Sequence, residues 1–425
     1  MSVTEGVVGD LAVETVVLGS GPVALAYALF AARLGPVVLR CRPPATVPAV
    51  ESVPAPLLTL LLKLGVTPAE LDVDHLTTQR LVAWEDPAPT ERASPACAHL
   101  DRAALAGALW RRVQDCPDVH VVHAVHAEPG GFAGEGCLLV DATGRRALTA
   151  RRHARPSPAW VATCCTLERG DLDPTMRLAA GPTGYAYRLG SARWLTVGWV
   201  GPPAGAGEEG LDAVDASGPG PTPRHAAELR RRLEDSGADW LAGEVDLHLG
   251  RWSRRVASLD IPVATRTPDV VAIGDAALAR DALASQGTSI GLSDARLAAG
   301  RATLQDLEHR HIDGRKRHLR SLRGVLATCR HRGLPAWSAY GRWVDHQLEV
   351  AARLVVQAES SVDCEGVRGD APDGVEGPGG VLPASQGAGR AVYWLSSSDP
   401  QRREAGCRRA RMPRVFPRGP LASGA

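Results

Sequence analysis

The stretch Val13-Glu14-Thr15-Val16-Val17-Leu18-Gly19-Ser20-Gly21-Pro22-Val23-Ala24 decides the fold of this chain. A short strand runs to Leu18, a glycine turn follows, and an apolar run continues to Leu34 at helical spacing. Gly35 closes the helix, and Val37 to Leu39 reads as a second strand. The result is a β-α-β unit whose turn carries the pattern GxGxxA. The first glycine, Gly19, permits the tight turn. The second, Gly21, lets the backbone approach a pyrophosphate at the helix N-terminus, and Ala24 keeps helix and strand close. An ordinary glycine turn in an α/β protein would look the same in isolation. The acid expected at the end of the second strand, for the adenosine ribose, is missing: Arg40-Cys41-Arg42 stands there, and Glu51 is the next carboxylate.

Two later turns repeat the strand-then-polar-turn design. Leu138-Leu139-Val140 ends in Asp141-Ala142-Thr143-Gly144, and Val270-Val271-Ala272-Ile273 ends in Gly274-Asp275. The second is followed by Ser285-Gln286-Gly287-Thr288-Ser289, a turn that opens a helix and offers amide N–H groups to an anion. Each alone could be an aspartate cap on an α/β connection. In this order, with a β-rich insertion between them, they are far more specific.

The ordered set resembles the FAD-dependent monooxygenases of the para-hydroxybenzoate hydroxylase fold. In pattern it is most similar to the flavin-dependent tryptophan halogenases and the LodB-like tryptophan-modifying flavoproteins. The Arg of Leu100-Asp101-Arg102 and the segment Val50-Glu51-Ser52-Val53-Pro54 also match, and the likeness runs from about Leu11 to Val356. The resemblance implies that Gly19, Gly21 and Ala24 meet the FAD pyrophosphate and that Arg102 neutralises it. It implies that Asp275 holds the ribityl chain, while Gln286, Gly287 and Thr288 lie beside the isoalloxazine edge. Asp281 takes the place of the halogenases' catalytic glutamate, where a carboxylate could accept the proton lost from an oxygenated ring; a loop aspartate paired with Arg280 is the competing reading. Tyr185 and Tyr187 stand where the halogenases carry a WxWxIP box, and with Trp199 they are the candidate substrate-pocket residues. Arg80 stands near the place of the halogenase lysine, and an arginine stays protonated and cannot form a haloamine.

The expected activity is therefore an FAD-dependent monooxygenase that uses O₂ through a flavin C4a-hydroperoxide to hydroxylate an aromatic ring. The expected substrate is an indole or tryptophan derivative, free or within a peptide. There is no second nucleotide motif for NAD(P)H, so a partner flavin reductase, or NAD(P)H directly, would supply the electrons. Two alternatives stay open: a flavin-dependent halogenase, and a flavin-fold binding or maturation partner with little affinity for its cofactor.

Composition sets the outer limits. The chain has 425 residues, enough for two or three structural units, and its 48 basic and 47 acidic residues leave no electrostatic footprint for nucleic acid or an anionic membrane. No apolar run approaches the ~18 residues of a membrane span. The acidic N-terminus, with Glu5 and Asp10, does not read as a secretory signal, and nine scattered cysteines without a CxxC pair fit a cytoplasmic protein. Spacing puts His120 and His126 on one strand face and His123 on the other, so they do not form a metal site. Cys164 and Cys165 point to opposite faces if extended. Most of the ten tryptophans read as core.

The expected organisation is α/β. A Rossmann-like FAD-binding domain over 1–158, with a pocket segment at 45–95, is interrupted by a β-sheet substrate domain over 159–264 with a loop at 201–223. The chain then returns to the first domain over 265–302 and ends in C-terminal helices over 303–356. Ser289 to Leu307 reads as one helix. The Gly-, Pro-, Ser- and Arg-rich tail over 357–425 reads as disordered.

Overall fold

The computed structural model describes residues 15–44, 48–123, 137–151, 160–169, 173, 175–203, 223–241, 246–257, 263–264, 269–281, 283, 286–300 and 304–365. Five strands form a parallel sheet: β1 (Thr15–Leu18), β2 (Val37–Cys41), β6 (Val119–His123), β7 (Leu138–Asp141) and β15 (Val270–Ala272). Their order is β15-β7-β1-β2-β6. The order reverses at β1, so the carboxyl ends of β1, β2 and β7 open on one crevice, the place where doubly wound sheets bind ligands. Helix α1 (Pro22–Ala31), apolar almost all round, is buried against α3 (Arg102–Asp115) and α5 (Gly287–Ala299). This sheet and these helices enclose one core that includes Val17, Leu25, Leu39, Leu105, Val140 and Leu292.

The second sheet has eight strands: β3 (Val50–Pro54), β4 (Thr77–Ala83), β5 (Thr90–Asp101), β9 (Val161–Glu168), β10 (Met176–Ala180), β11 (Tyr185–Gly190), β12 (Trp194–Gly201) and β13 (Arg251–Val256). Their order is β13-β9-β12-β11-β10-β4-β5-β3, antiparallel except at β4–β10. The sheet curls back on itself, since the Val50 amide on the last strand donates to Thr196 Oγ1 on β12 at 3.1 Å. A two-stranded ribbon, β8 (Ala150–Arg151) with β14 (Val263–Ala264), completes the β-structure.

The period of two sorts the sheet's side chains onto two faces. One face carries Val82, Ala162, Cys164, Leu178 and Tyr185, packed against α6 (Leu304–Thr328) and α7 (Pro335–Glu365). The other carries Ala83, Cys165, Ala179, Ala186, Val197 and Trp199, buried beneath α4 (Pro223–Asp235). Cys164 and Cys165 thus separate as alternation requires.

Several elements differ from the sequence reading. The run from Ser289 to Leu307 is not one helix: α5 ends at Gly300, whose amide closes on Arg296 O and Leu297 O, and α6 starts at Leu304. Helix α7 continues to Glu365, into the stretch read as tail. Strands β3, β4, β5 and β10 were not legible, and three of them bring the segment 45–95 and its flank into the second sheet. Residues 204–222 of the expected loop, His126 and the tail beyond 365 lie outside the described residues. Among the described residues no helix is long and apolar enough to cross a membrane. No three of their His, Cys, Asp or Glu side chains converge on a metal position.

Candidate active site

The crevice at the carboxyl end of β1 is built by backbone geometry. Gly19 has φ +131°, a conformation open to glycine, and its amide donates to Arg40 O at 3.0 Å. A Cβ there would meet Ala142 O at 2.4 Å and Ala24 Cβ at 3.2 Å, so a side chain at Gly19 would push β1 off β7. Gly21 is the N-cap of α1, and a Cβ on it would meet nothing within 4 Å. That open side of a helix N-terminus is a cradle shaped for a pyrophosphate. Gly19, Gly21 and Ala24 are brought together as their motif requires.

Arg102 opens α3. Its Nη1 lies 3.0 Å from Glu51 Oε1, and Glu51 Oε2 accepts the Thr288 hydroxyl at 2.6 Å. One carboxylate from β3 therefore joins the N-terminus of α3 to that of α5. The Arg102 side chain remains 40% exposed, so it can meet an anion as well. Asp101 caps α3 by accepting from Ala103 N at 3.0 Å, and it accepts Ala49 N at 3.1 Å, which fixes the approach of β3.

Asp275 stands over α5. A Cβ on Gly287 would lie 3.5 Å from Asp275 Oδ1, and Arg145 Nε is 3.9 Å from its Oδ2. Gln286 is the N-cap of α5, so Gly287 and Thr288 lie in the first turn with Asp275 beside them. Ser285 lies outside the described residues. Asp141 is wholly buried and accepts four hydrogen bonds: Thr143 N at 3.0 Å, Thr143 Oγ1 at 2.6 Å, and Thr149 N and Oγ1 both at 2.8 Å. It orders the turn that carries Arg145, which donates to Arg280 O at 2.8 Å. The donors, the two helix N-termini and the glycine cradle fit an FAD. The end of β2 does not supply the customary ribose acid; the carboxylate that reaches the crevice is Glu51, from the other sheet.

Asp281 is 1% exposed, and it does not pair with Arg280. Its Oδ1 accepts Leu283 N at 2.7 Å, and its Oδ2 accepts the Tyr340 hydroxyl in a short bond. The Asp281 amide donates to His318 Nε2 at 3.4 Å. Burial holds the Asp281 carboxyl above the usual carboxylate range, opposed by the bonds from Tyr340 and Leu283. Burial and the Arg280 charge push His318 down to about 3, so its ring is neutral. The surroundings are aromatic. Tyr340 stacks on Trp160 with centroids 4.6 Å apart, Trp337 meets Trp160 at 5.1 Å and Trp84 at 5.5 Å, and Tyr185 lies 6.2 to 6.3 Å from Trp160 and Trp84. Trp84 and Trp337 spend their indole N–H groups on Val325 O and Gly181 O, as core tryptophans do.

Tyr185 and Tyr187 share the face of the curled sheet that Asp281 approaches. Tyr187 lies flat on the sheet: a Cβ on Gly198 would sit 2.6 Å from two of its ring atoms, and its hydroxyl is 2.9 Å from Cys164 Sγ. Trp199 is not with them. It pairs in register with Ala186, so it points to the opposite face and into the core under α4. The reading that placed all three in one pocket used the shared sheet and missed the parity of Trp199. Tyr340, His318 and the link through Glu51 were missed too. Tyr340 lies 59 residues from Asp281 in a helix with no local motif; Glu51 was visible as the next acid and within the matching segment Val50-Glu51-Ser52-Val53-Pro54, but without a role.

No protein-family model and no curated protein matches the chain. Solved structures do. The peptidyl tryptophan dihydroxylase QhpG, essential for tryptophylquinone cofactor biogenesis, superposes with a TM-score of 0.56 at 23% identity, over 78% of this chain and 79% of its own. The myxobacterial chondrochloren halogenase CndH, an FAD-dependent halogenase, gives 0.59 at 18% identity, over 81% and 90%. The 2,6-dihydroxypyridine-3-hydroxylase of Arthrobacter nicotinovorans gives 0.55 at 16%, over 76% and 95%. The chain shares the fold of these flavin-dependent hydroxylases and halogenases.

Proposed function

We propose that the chain is an FAD-dependent monooxygenase that hydroxylates an aromatic ring, with an indole or tryptophan derivative as substrate. The observation that carries the reading is a buried carboxylate, Asp281, held by Tyr340 and a backbone amide on the sheet face where Tyr187 lies flat. Gly19, Gly21, Ala24, Arg102, Asp275, Gln286, Gly287 and Thr288 would hold the cofactor. Bound and reduced, by NAD(P)H or a partner reductase, it supplies the activation of O₂.

This chain's residues do the rest. The Tyr187 ring offers the aromatic substrate a platform at low entropic cost. The Trp84, Trp160 and Trp337 cluster excludes water from the Asp281 end. Asp281 Oδ1 or Oδ2 takes the proton from the ring carbon as oxygen is added, and burial raises its proton affinity in the direction a base requires. Tyr340 is a positioning residue, since it fixes the carboxylate that would touch the substrate.

Asp281→Asn tests the reading. Hydroxylated product from tryptophan or a tryptophan-containing peptide should fall by about 10²–10⁴-fold while FAD uptake and melting temperature are kept. An Asn variant as fast as the parent would refute the role. The halogenase CndH favours a second reading, halogenation, which a halide-dependent mass shift in the product would establish. Arg80, unable to carry a haloamine, speaks against it.

A further inference from the structure

The inner face of the curled sheet carries a second buried polar group, about two residue pairs from the Asp281 end. Arg80 on β4 is 7% exposed, between exposed Gln79 and half-buried Leu81. It pairs with Met176 and shares the face of Val82 and Leu178. Its Nε has no hydrogen-bond partner, and among the described residues no carboxylate pairs with its guanidinium. Its cross-strand partner on β5 is Arg92, a like charge, and a run of small or neutral polar groups begins beside it at Cys97. Cys97 is buried beside it, and both the Arg80 charge and the Ser52 hydroxyl act on that thiol. Ser52 pairs in register with His99, and each is 5% exposed.

Ser52 Oγ and His99 Nε2 are also without partners. His99 Nδ1 meets Gly190 O at 2.9 Å, which makes Nδ1 the N–H and leaves Nε2 a bare acceptor. A buried guanidinium without a counter-charge is disfavoured, and an anion that pairs with it would relieve that cost. Cys97 links the Arg80 cation to the Ser52 hydroxyl, and the His99 acceptor stands opposite Ser52 in register. That set matches a carboxylate flanked by an N–H, the chemistry of an amino acid or a peptide unit.

We infer that Arg80, with Ser52 and His99, forms a recognition site for the carboxylate of the aromatic substrate. From Arg80 to Trp84, one residue past the end of β4, an extended chain covers about 13 Å at ~3.3 Å per residue, and Tyr187 stands level with Val82 between them. A substrate whose ring rests on Tyr187 can thus present one end to Asp281 and its carboxylate to Arg80. The choice of substrate rests on the function proposed above; the anion site does not.

Calorimetry on the FAD-loaded protein tests this with indole-3-propionate and its methyl ester. The acid should bind about tenfold or more tighter than the ester, and Arg80→Gln should remove that preference while Arg80→Lys keeps part of it. Acid and ester binding equally, or a preference that survives in Arg80→Gln, would overturn the site. If Arg80→Gln does not fold, Ser52→Ala takes its place, with a reduced preference expected and an unchanged one contradicting the proposal. A second pair, N-acetyl-tryptophanyl-glutamate amide and its glutamine counterpart, tells a peptide carboxylate from that of a free acid. A protein that prefers the acid but takes up no FAD would leave the anion site standing and sink the monooxygenase reading instead.

Discussion

Replacing Asp141 by alanine should unhinge the crevice, because one carboxylate organises the whole turn after β7. Its oxygens accept from Thr143 N, Thr143 Oγ1, Thr149 N and Thr149 Oγ1, at 2.6 to 3.0 Å, in a site with no exposure. The two hydroxyls can rotate toward other acceptors, but the two amides cannot. Each stranded amide costs about 1–3 kcal/mol, so the loss should be about 2–6 kcal/mol. At ~2–4 °C per kcal/mol for a domain of this size, the melting temperature should drop by roughly 5–20 °C. The same turn carries Arg145, which holds the Arg280 carbonyl and faces Asp275, so FAD affinity should fall along with stability. Asp141→Asn keeps one acceptor oxygen and should lose about half as much. Thermal melts followed by circular dichroism, with and without FAD, measure both effects. A shift below about 2 °C in the alanine variant would mean that Asp141 is not the organiser of the turn, and the argument from its four bonds would be wrong.

Three further outcomes are expected. Arg102→Gln should weaken FAD binding by about tenfold with little change in melting temperature, because its ion pair with Glu51 is partly exposed and such pairs add little stability; equal loss of both would contradict a cofactor role. Gly198→Ala should lift the Tyr187 ring, since the new methyl would meet it at 2.6 Å, and raise the KM for an aromatic substrate while FAD binding is unchanged; an unaltered KM would remove Tyr187 as a platform. Stability should fall as pH drops from 6.5 toward 4, because burial pushes His99 down to about 4 and His318 to about 3, so the unfolded chain takes up their protons first. Each buried histidine contributes up to ~1.4 kcal/mol per pH unit in that window, and His318→Gln should flatten the acid limb of a melting-temperature profile; an unchanged slope would argue against a neutral His318.

The parallel sheet was legible because β1, β7 and β15 are short, apolar and followed by glycine turns, and the β1-α1-β2 unit is set almost wholly by local sequence. The candidate cofactor crevice shared that advantage: Gly19, Gly21, Asp275 and Thr288 lie at strand and helix ends that the turns announce. The curled sheet was harder. Strand β3 hides in the proline-rich passage from Pro43 to Pro56, and in β4 the buried Arg80 breaks the alternation that would reveal a strand. The proposed base site needed three distant pieces, Asp281, Tyr340 and the β11 tyrosines, and no spacing rule joins them. Trp199 shows the cost of arguing from a shared sheet without register, since one residue decides the face. Gly300, which ends α5, was passed over inside a run of otherwise helical sequence because its effect depends on where the next helix turns.

The most direct test of the account is the visible absorption spectrum of the purified protein, titrated with FAD. Saturable binding with a shifted and structured flavin band is expected, and a much weaker response in Gly19→Val, whose side chain would collide with Ala142 O and close the turn. A flavin spectrum that stays that of free FAD at millimolar concentration would contradict it, and the roles given to Arg102, Asp275 and Asp281 would fall together.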